Sequence, residues 1–257
     1  MPRNVPCDFP PGYDGTAILQ RLERVLDPEL DESILHLGFV GALTVRAGHA
    51  DVALRLPTDW CAVNFAYLMA EDVRHALLTV AGIRRVTVRL GDHCAAAEIE
   101  TAVNDGRNFA DAFAGEGAGS LAALRLTFQR KGFFGRQERL LRELRAAGHS
   151  PETICALRLG DASAENGTVV IRRPGGTPVE SGPAAVLRRY LERRAELGLD
   201  CAGTAPLIVD LDGEPLSAER LEAYYETVRT VRVAMEANGS FCRALLSLRH
   251  ANAAAPP

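Results

Sequence analysis

Ile18, Leu19, Leu22, Val25 and Leu26 recur at three- and four-residue steps among charged side chains, the spacing of one helix face. This helix is expected to start near Asp14 and stop at Asp27-Pro28, because a residue before proline is pushed out of the helical region. Residues 34–40, with Gly38 among them, read as a turn leading into a strand. Residues 42–45 and 52–56 are strand-like, and Ala47-Gly48-His49 between them is a hairpin signal. Pro57-Thr58-Asp59 closes the second strand. Val63, Ala66, Tyr67, Ala70, Val73, Leu77 and Leu78 share one side of a helix over 62–79, broken by Gly82. Residues 85–90 alternate with period two and predict a third strand. Helix, hairpin, helix and strand make a small α+β domain over 14–95.

The flanking segments carry weaker patterns. Residues 1–13 hold four prolines and read as an irregular lead-in. Residues 96–120, rich in Ala, Gly, Asn and Asp, read as a linker. Its end, Gly115-Glu116-Gly117-Ala118-Gly119-Ser120, has the glycine spacing of a phosphate loop but no strand before it, so it reads as a flexible turn. A mainly helical domain with a few short strands is expected over 121–250. It has helices over 121–149, after Ser150-Pro151-Glu152, over 183–197 and over 217–248, with short strands at 167–171 and 207–209. Residues 251–257 read as a disordered tail.

Composition narrows the function classes. The net charge of -4 argues against a general affinity for nucleic acid or anionic membrane, although arginines crowd between Arg125 and Arg194. No stretch approaches the roughly 20 apolar residues of a membrane span, and the N-terminus lacks the apolar core of a signal peptide, so a cytoplasmic protein is expected. The six cysteines are widely spaced, with no CxxC pair and no zinc-type ligand spacing. Most are expected to be small buried hydrophobes. No Ser/His/Asp set and no paired carboxylates suggest an enzyme.

Three segments carry the candidate chemistry: Asp27-Pro28-Glu29-Leu30, Ser33-Ile34-Leu35-His36-Leu37-Gly38-Phe39-Val40, and Thr58-Asp59-Trp60-Cys61. With Ala81-Gly82-Ile83 and Val86-x-Val88, they resemble in order and spacing the PaaD/SufT-type metal–sulfur cluster assembly family. The resemblance implies a factor that assembles or delivers iron–sulfur clusters, or matures a metalloenzyme. The family's cysteine falls on Cys61, as transient ligand of an iron–sulfur cluster, and its acidic turn on Asp27. This chain departs from the family at Trp60 and Ala62, where glycine and proline are usual. Independently, Cys61 precedes a helix whose first turn offers unpaired N–H groups and the positive dipole end, which favours thiolate, the metal-binding form. Asp59 or Thr58 is expected to cap that helix. One cysteine cannot hold a cluster that needs four ligands. His93 and Cys94, after the last strand, are candidates for further metal ligands; a homodimer sharing one cluster is another route.

The C-terminal half resembles a degenerate tyrosine-recombinase catalytic domain, through Leu140-Leu141, Ala146-Ala147-Gly148, 154–161, 167–171, 191–194 and 206–217. The catalytic set is broken. His149 and Ser150 stand where the first arginine is expected, Leu246 replaces the first histidine of a Leu246-Ser247-Leu248-Arg249-His250 box, and no tyrosine follows. Strand cleavage is excluded on that ground. The expected role of this half is recognition of a client or partner. The pairing with an Arg/Leu-rich half also resembles accessory proteins of bacterial di-iron monooxygenases, which implies a metal-dependent hydroxylase as client. Two alternatives stand beside cluster assembly: a metal-free assembly chaperone or interaction protein, and a DNA-binding adaptor.

Overall fold

The computed structural model describes residues 5–113 and 121–254, with the side chains of 250–254 outside the description. The chain divides into two units. One comprises Met1–Arg125 with Ala237–Pro257, and the other is Leu126–Glu236.

The first unit opens with strand β1 (Cys7–Asp8), inside the segment expected to be irregular. Helix α1 (Gly15–Glu23) starts where Asp14 accepts the amides of Thr16 and Ala17. It ends before Asp27-Pro28, which instead turn the two-residue hairpin of β2 (Leu26–Asp27) and β3 (Glu32–Ser33). The one-turn helix α2 (Ile34–Leu37) follows, capped by Ser33 and closed by Gly38 at φ 79°, a conformation that glycine adopts at little cost. Strands β4 (Val40–Arg46) and β5 (His49–Leu54) form the expected hairpin, turning at Ala47-Gly48 with φ 50° and 80°. Helix α3 (Val63–Leu78) crosses over to β6 (Arg85–Arg89), which pairs parallel to β5. The sheet order is β1-β4-β5-β6. Register pairs Leu43 with Val52 and Val52 with Val88, so one face carries buried Leu43, Val45, Ala50, Val52, Val86 and Val88.

Residues 96–112, expected as part of a linker, hold helices α4 (Ala96–Asp105) and α5 (Phe109–Ala112). Ile99, Ala102 and Val103 of α4 are buried in the same core, so alanine-rich composition here marks close packing, not flexibility. The glycine-spaced run 115–119 lies outside the described residues.

Helix α6 (Leu121–Ala146) leads into the second unit. Helix α7 (Pro151–Ala156) is capped by Ser150, as its sequence predicts. An antiparallel sheet of β7 (Ala162–Glu165), β8 (Thr168–Ile171) and β9 (Val179–Pro183) is followed by α8 (Ala184–Glu196). Residues 207–209 are not a regular strand; isolated bridges at Pro206 and Val209 flank a buried irregular stretch. Its carbonyls are taken by side chains. Tyr190 donates to Leu207 O at 2.7 Å, Arg194 to Pro206 O at 2.8 Å, and Gln137 to Val209 O at 2.8 Å. A sheet partner is therefore not required. Helix α9 (Ala218–Ala254) runs past the expected end into 251–254, read from sequence as tail. Its residues from Ala237 onward belong to the first unit, where the sequence read a single C-terminal domain to residue 250.

Candidate functional site

The loop between β5 and α3 is built around Cys61. Thr58 Oγ1 lies 3.2 Å from Cys61 Sγ, within hydrogen-bonding distance. The thiol is half-buried, packed against the core of the first unit. Trp60 beside it is 74% exposed. Neither Thr58 nor Asp59 caps α3; Ala62 occupies the capping position and makes no side-chain cap bond. The Thr58 hydroxyl is instead turned to the sulfur, and the Asp59 carbonyl accepts the Cys94 amide at 2.7 Å.

His93 is 6% exposed, and both ring nitrogens are engaged. Nδ1 accepts the Ala95 amide at 3.1 Å, which leaves Nε2 to donate to the Cys61 carbonyl at 2.8 Å. In this arrangement His93 braces the cysteine loop and has no lone pair left for a metal. Cys94 docks on the same loop through its backbone, and its side chain is exposed.

Asp27 lies in the β2–β3 turn. Its Oδ1 accepts the amides of Glu29 and Leu30, each at 2.9 Å. Burial pushes its carboxyl up to about 6; the two amides oppose that push, and Glu29 and Glu32 add to it.

The residue that sequence reasoning passed over is Cys242, half-buried on α9 within the first unit. Burial pushes its thiol up to about 11; the charges of Asp27, Cys61 and Glu29 add to the push, and Arg243 opposes it. Contacts on both sides fix its place. Asn238 donates to Glu29 at 3.3 Å, Arg243 pairs with Glu32 at 2.8 Å, and Leu246 is buried in the core against Gly38. Arg249 donates to the Leu56 carbonyl at 3.0 Å and to Asp92 at 3.2 Å. Leu246 and Arg249 belong to the recombinase-like box, and here they serve packing and loop clamping within the first unit. No local motif marks Cys242. A helical stripe at 238, 242, 246 and 249 is the available signal, and it indicates a packed face without saying against what.

Residues 16–90 match the family model described as iron–sulfur cluster assembly protein. This assembly domain contains Asp27, Thr58, Asp59 and Cys61; His93, Cys94 and Cys242 lie beyond the matched residues. No curated protein and no solved structure gives a match. Among the described residues, no helix is long and apolar enough to cross a membrane.

A second donor cluster sits elsewhere in the first unit, where Glu71, Asp72 and His75 bring ligand atoms within 4.8 Å of one another. Arg125 holds both carboxylates, with contacts of 2.7 Å to Asp72 and 3.3 Å to Glu71, so the cluster is an ion-pair network.

Proposed function

We propose that this chain is an iron–sulfur cluster assembly or metalloenzyme maturation factor in which Cys61 transiently holds iron or a cluster before passing it to a client. The supporting observation is the state of the Cys61 loop inside the assembly domain: a half-buried thiol beside Thr58, with its carbonyl fixed by His93. Thiolate is the ligand iron prefers in clusters, and a loop held still from behind keeps the sulfur presented. The cargo is passed by exchange, each Cys61–iron bond being replaced by a bond to a client thiolate. Partial burial protects the bound state, and partial exposure lets the client in. Trp60 gives the approaching protein a large apolar contact next to the transferred metal.

The test is anaerobic reconstitution with iron and sulfide, read by visible absorption and bound iron, for wild type and Cys61→Ser. A chromophore that the substitution abolishes supports cluster carriage at Cys61. Equal absence of colour in both favours the second reading, a metal-free chaperone that touches its client through the exposed Trp60 surface.

A further inference from the structure

We propose that the cavity between the β8–β9 loop and His149, within the second unit, binds the oxyanion group, carboxylate or phosphate, of a small organic molecule, with Arg173 as its cationic partner. The proposal is independent of the Cys61 reading and gives the second unit a ligand of its own.

Residues 172–178 join β8 to β9, a stretch longer than the about two to five residues of most hairpin loops. The loop, His149 and the strand ends line a cavity of about 350 Å³, at the small end of ligand pockets. Its wall has two characters. Ile171, buried in the core of the second unit, and Val179 are apolar. Arg173, Thr177 and His149 are polar, and no lining residue is acidic. Such a wall suits an anion on an apolar body better than a cation. The loop also holds its shape. Pro174 and Pro178 fix φ on either side of Gly175-Gly176, and the Gly176 amide donates to the Arg173 carbonyl at 3.0 Å. A loop already set in place has little freedom to lose on binding.

Arg173 carries the charge of the cavity. Arg172 beside it is paired with Glu165 at 2.7 Å. Arg173 has no carboxylate partner among the described residues; it donates to the Thr153 hydroxyl at 3.2 Å, which places the guanidinium and leaves its charge uncompensated. The Thr177 hydroxyl is a second donor on the wall. His149 is the fixed side. Its Nε2 lies 3.1 Å from the hydroxyl of the fully buried Ser181. Burial and the Arg173 charge hold the ring below the ordinary histidine range, so it is neutral at pH 7 and leaves Arg173 as the cation. A planar guanidinium with no counter-charge, set beside apolar surface, takes a carboxylate or phosphate through paired, charge-assisted hydrogen bonds.

The experiment titrates the full chain at pH 7 with phenyl phosphate, with benzoate and with inorganic phosphate, followed through the amide resonances of Gly175, Gly176 and Thr177. Saturable shifts are expected with phenyl phosphate, benzoate or both, and the tighter of the two names the oxyanion. Arg173→Gln, a change at an exposed side chain, should weaken binding at least about tenfold, the loss of one hydrogen bond to a charged group. Arg172→Gln removes the same charge one residue away and should weaken binding less than about twofold, because solvent and salt screen a charge that makes no contact. Equal affinity of Arg173→Gln and wild type, or equal weakening by the two variants, overturns the proposal. Saturation by neither organic probe overturns it as well. Inorganic phosphate binding as tightly as phenyl phosphate would leave the apolar wall without a part and overturn the organic ligand. Displacement of the probe by a short duplex DNA would put a nucleic-acid backbone at Arg173 and overturn the small-molecule assignment.

Discussion

Asp27 keeps a carboxylate in a buried turn because two amides need its oxygen. The charge itself is a burden there, which is why its carboxyl titrates at about 6, above the ordinary carboxylate value of 3.8. A group with a raised folded pKa binds its proton more tightly in the folded state. Its cost to stability is therefore present above pH 6, shrinks as pH falls through 6, and is gone below about 4. Asp27→Asn keeps an acceptor for Glu29 and Leu30 without the charge. Urea unfolding should find the metal-free variant more stable by about 1–3 kcal/mol at pH 7 and equal to wild type near pH 4. At the same scale, His93→Ala leaves the Cys61 carbonyl without its 2.8 Å donor and frees the loop. Cys61 should then alkylate faster with iodoacetamide, and an unchanged rate would show that the brace is dispensable. The loop 58–61 stands out in the sequence because four short segments in order carry the family resemblance, whereas the turn of the Thr58 hydroxyl to the Cys61 sulfur does not. Nor does the work of His93, since its acceptor is a main-chain carbonyl, and a backbone group leaves no mark in the sequence.

Among the elements, the hairpin, α3 and β6 were readable because each has one buried face and so a clear period. The readings that differed share a cause. Helix α4 is alanine-rich, and small side chains at a close helix contact look like linker composition. Residues 207–209 are apolar and β-branched like a strand, yet their carbonyls are satisfied by Gln137, Tyr190 and Arg194 from elements far along the chain. Arg194 is 1% exposed and also donates to the Asp200 carbonyl at 2.7 Å. Arg194→Met would leave the part-buried Pro206 and Asp200 carbonyls without this donor and should destabilise the second unit by about 2–3 kcal/mol, measurable by denaturant unfolding. A cost below about 1 kcal/mol would mean that water replaces the guanidinium.

For the molecule as a whole, the first unit is discontinuous, joining Met1–Arg125 to Ala237–Pro257. Sequence periodicity identifies a helix over 217–248 but not a change of allegiance within it, because the heptad-scale pattern is the same on either side of residue 237. Leu246, buried at 4% exposure, is the strongest apolar anchor of the returning segment. Leu246→Ala should cost about 2–5 kcal/mol, seen as lost amide-exchange protection within residues 16–90 and not within 126–236. Protection lost evenly over both would contradict the division.

The return of α9 to the assembly domain also sets a schedule during synthesis. Residues 16–90 leave the ribosome first, but the helix segment that packs against Gly38 and Leu56 is made only after Leu126–Glu236, on the order of ten seconds later at about 5–20 residues per second. Until then the Gly38 surface lacks Leu246, and the nascent chain carries uncovered apolar area. Protection of this face by a chaperone therefore has a natural window that closes when residue 249 reaches Leu56 and Asp92.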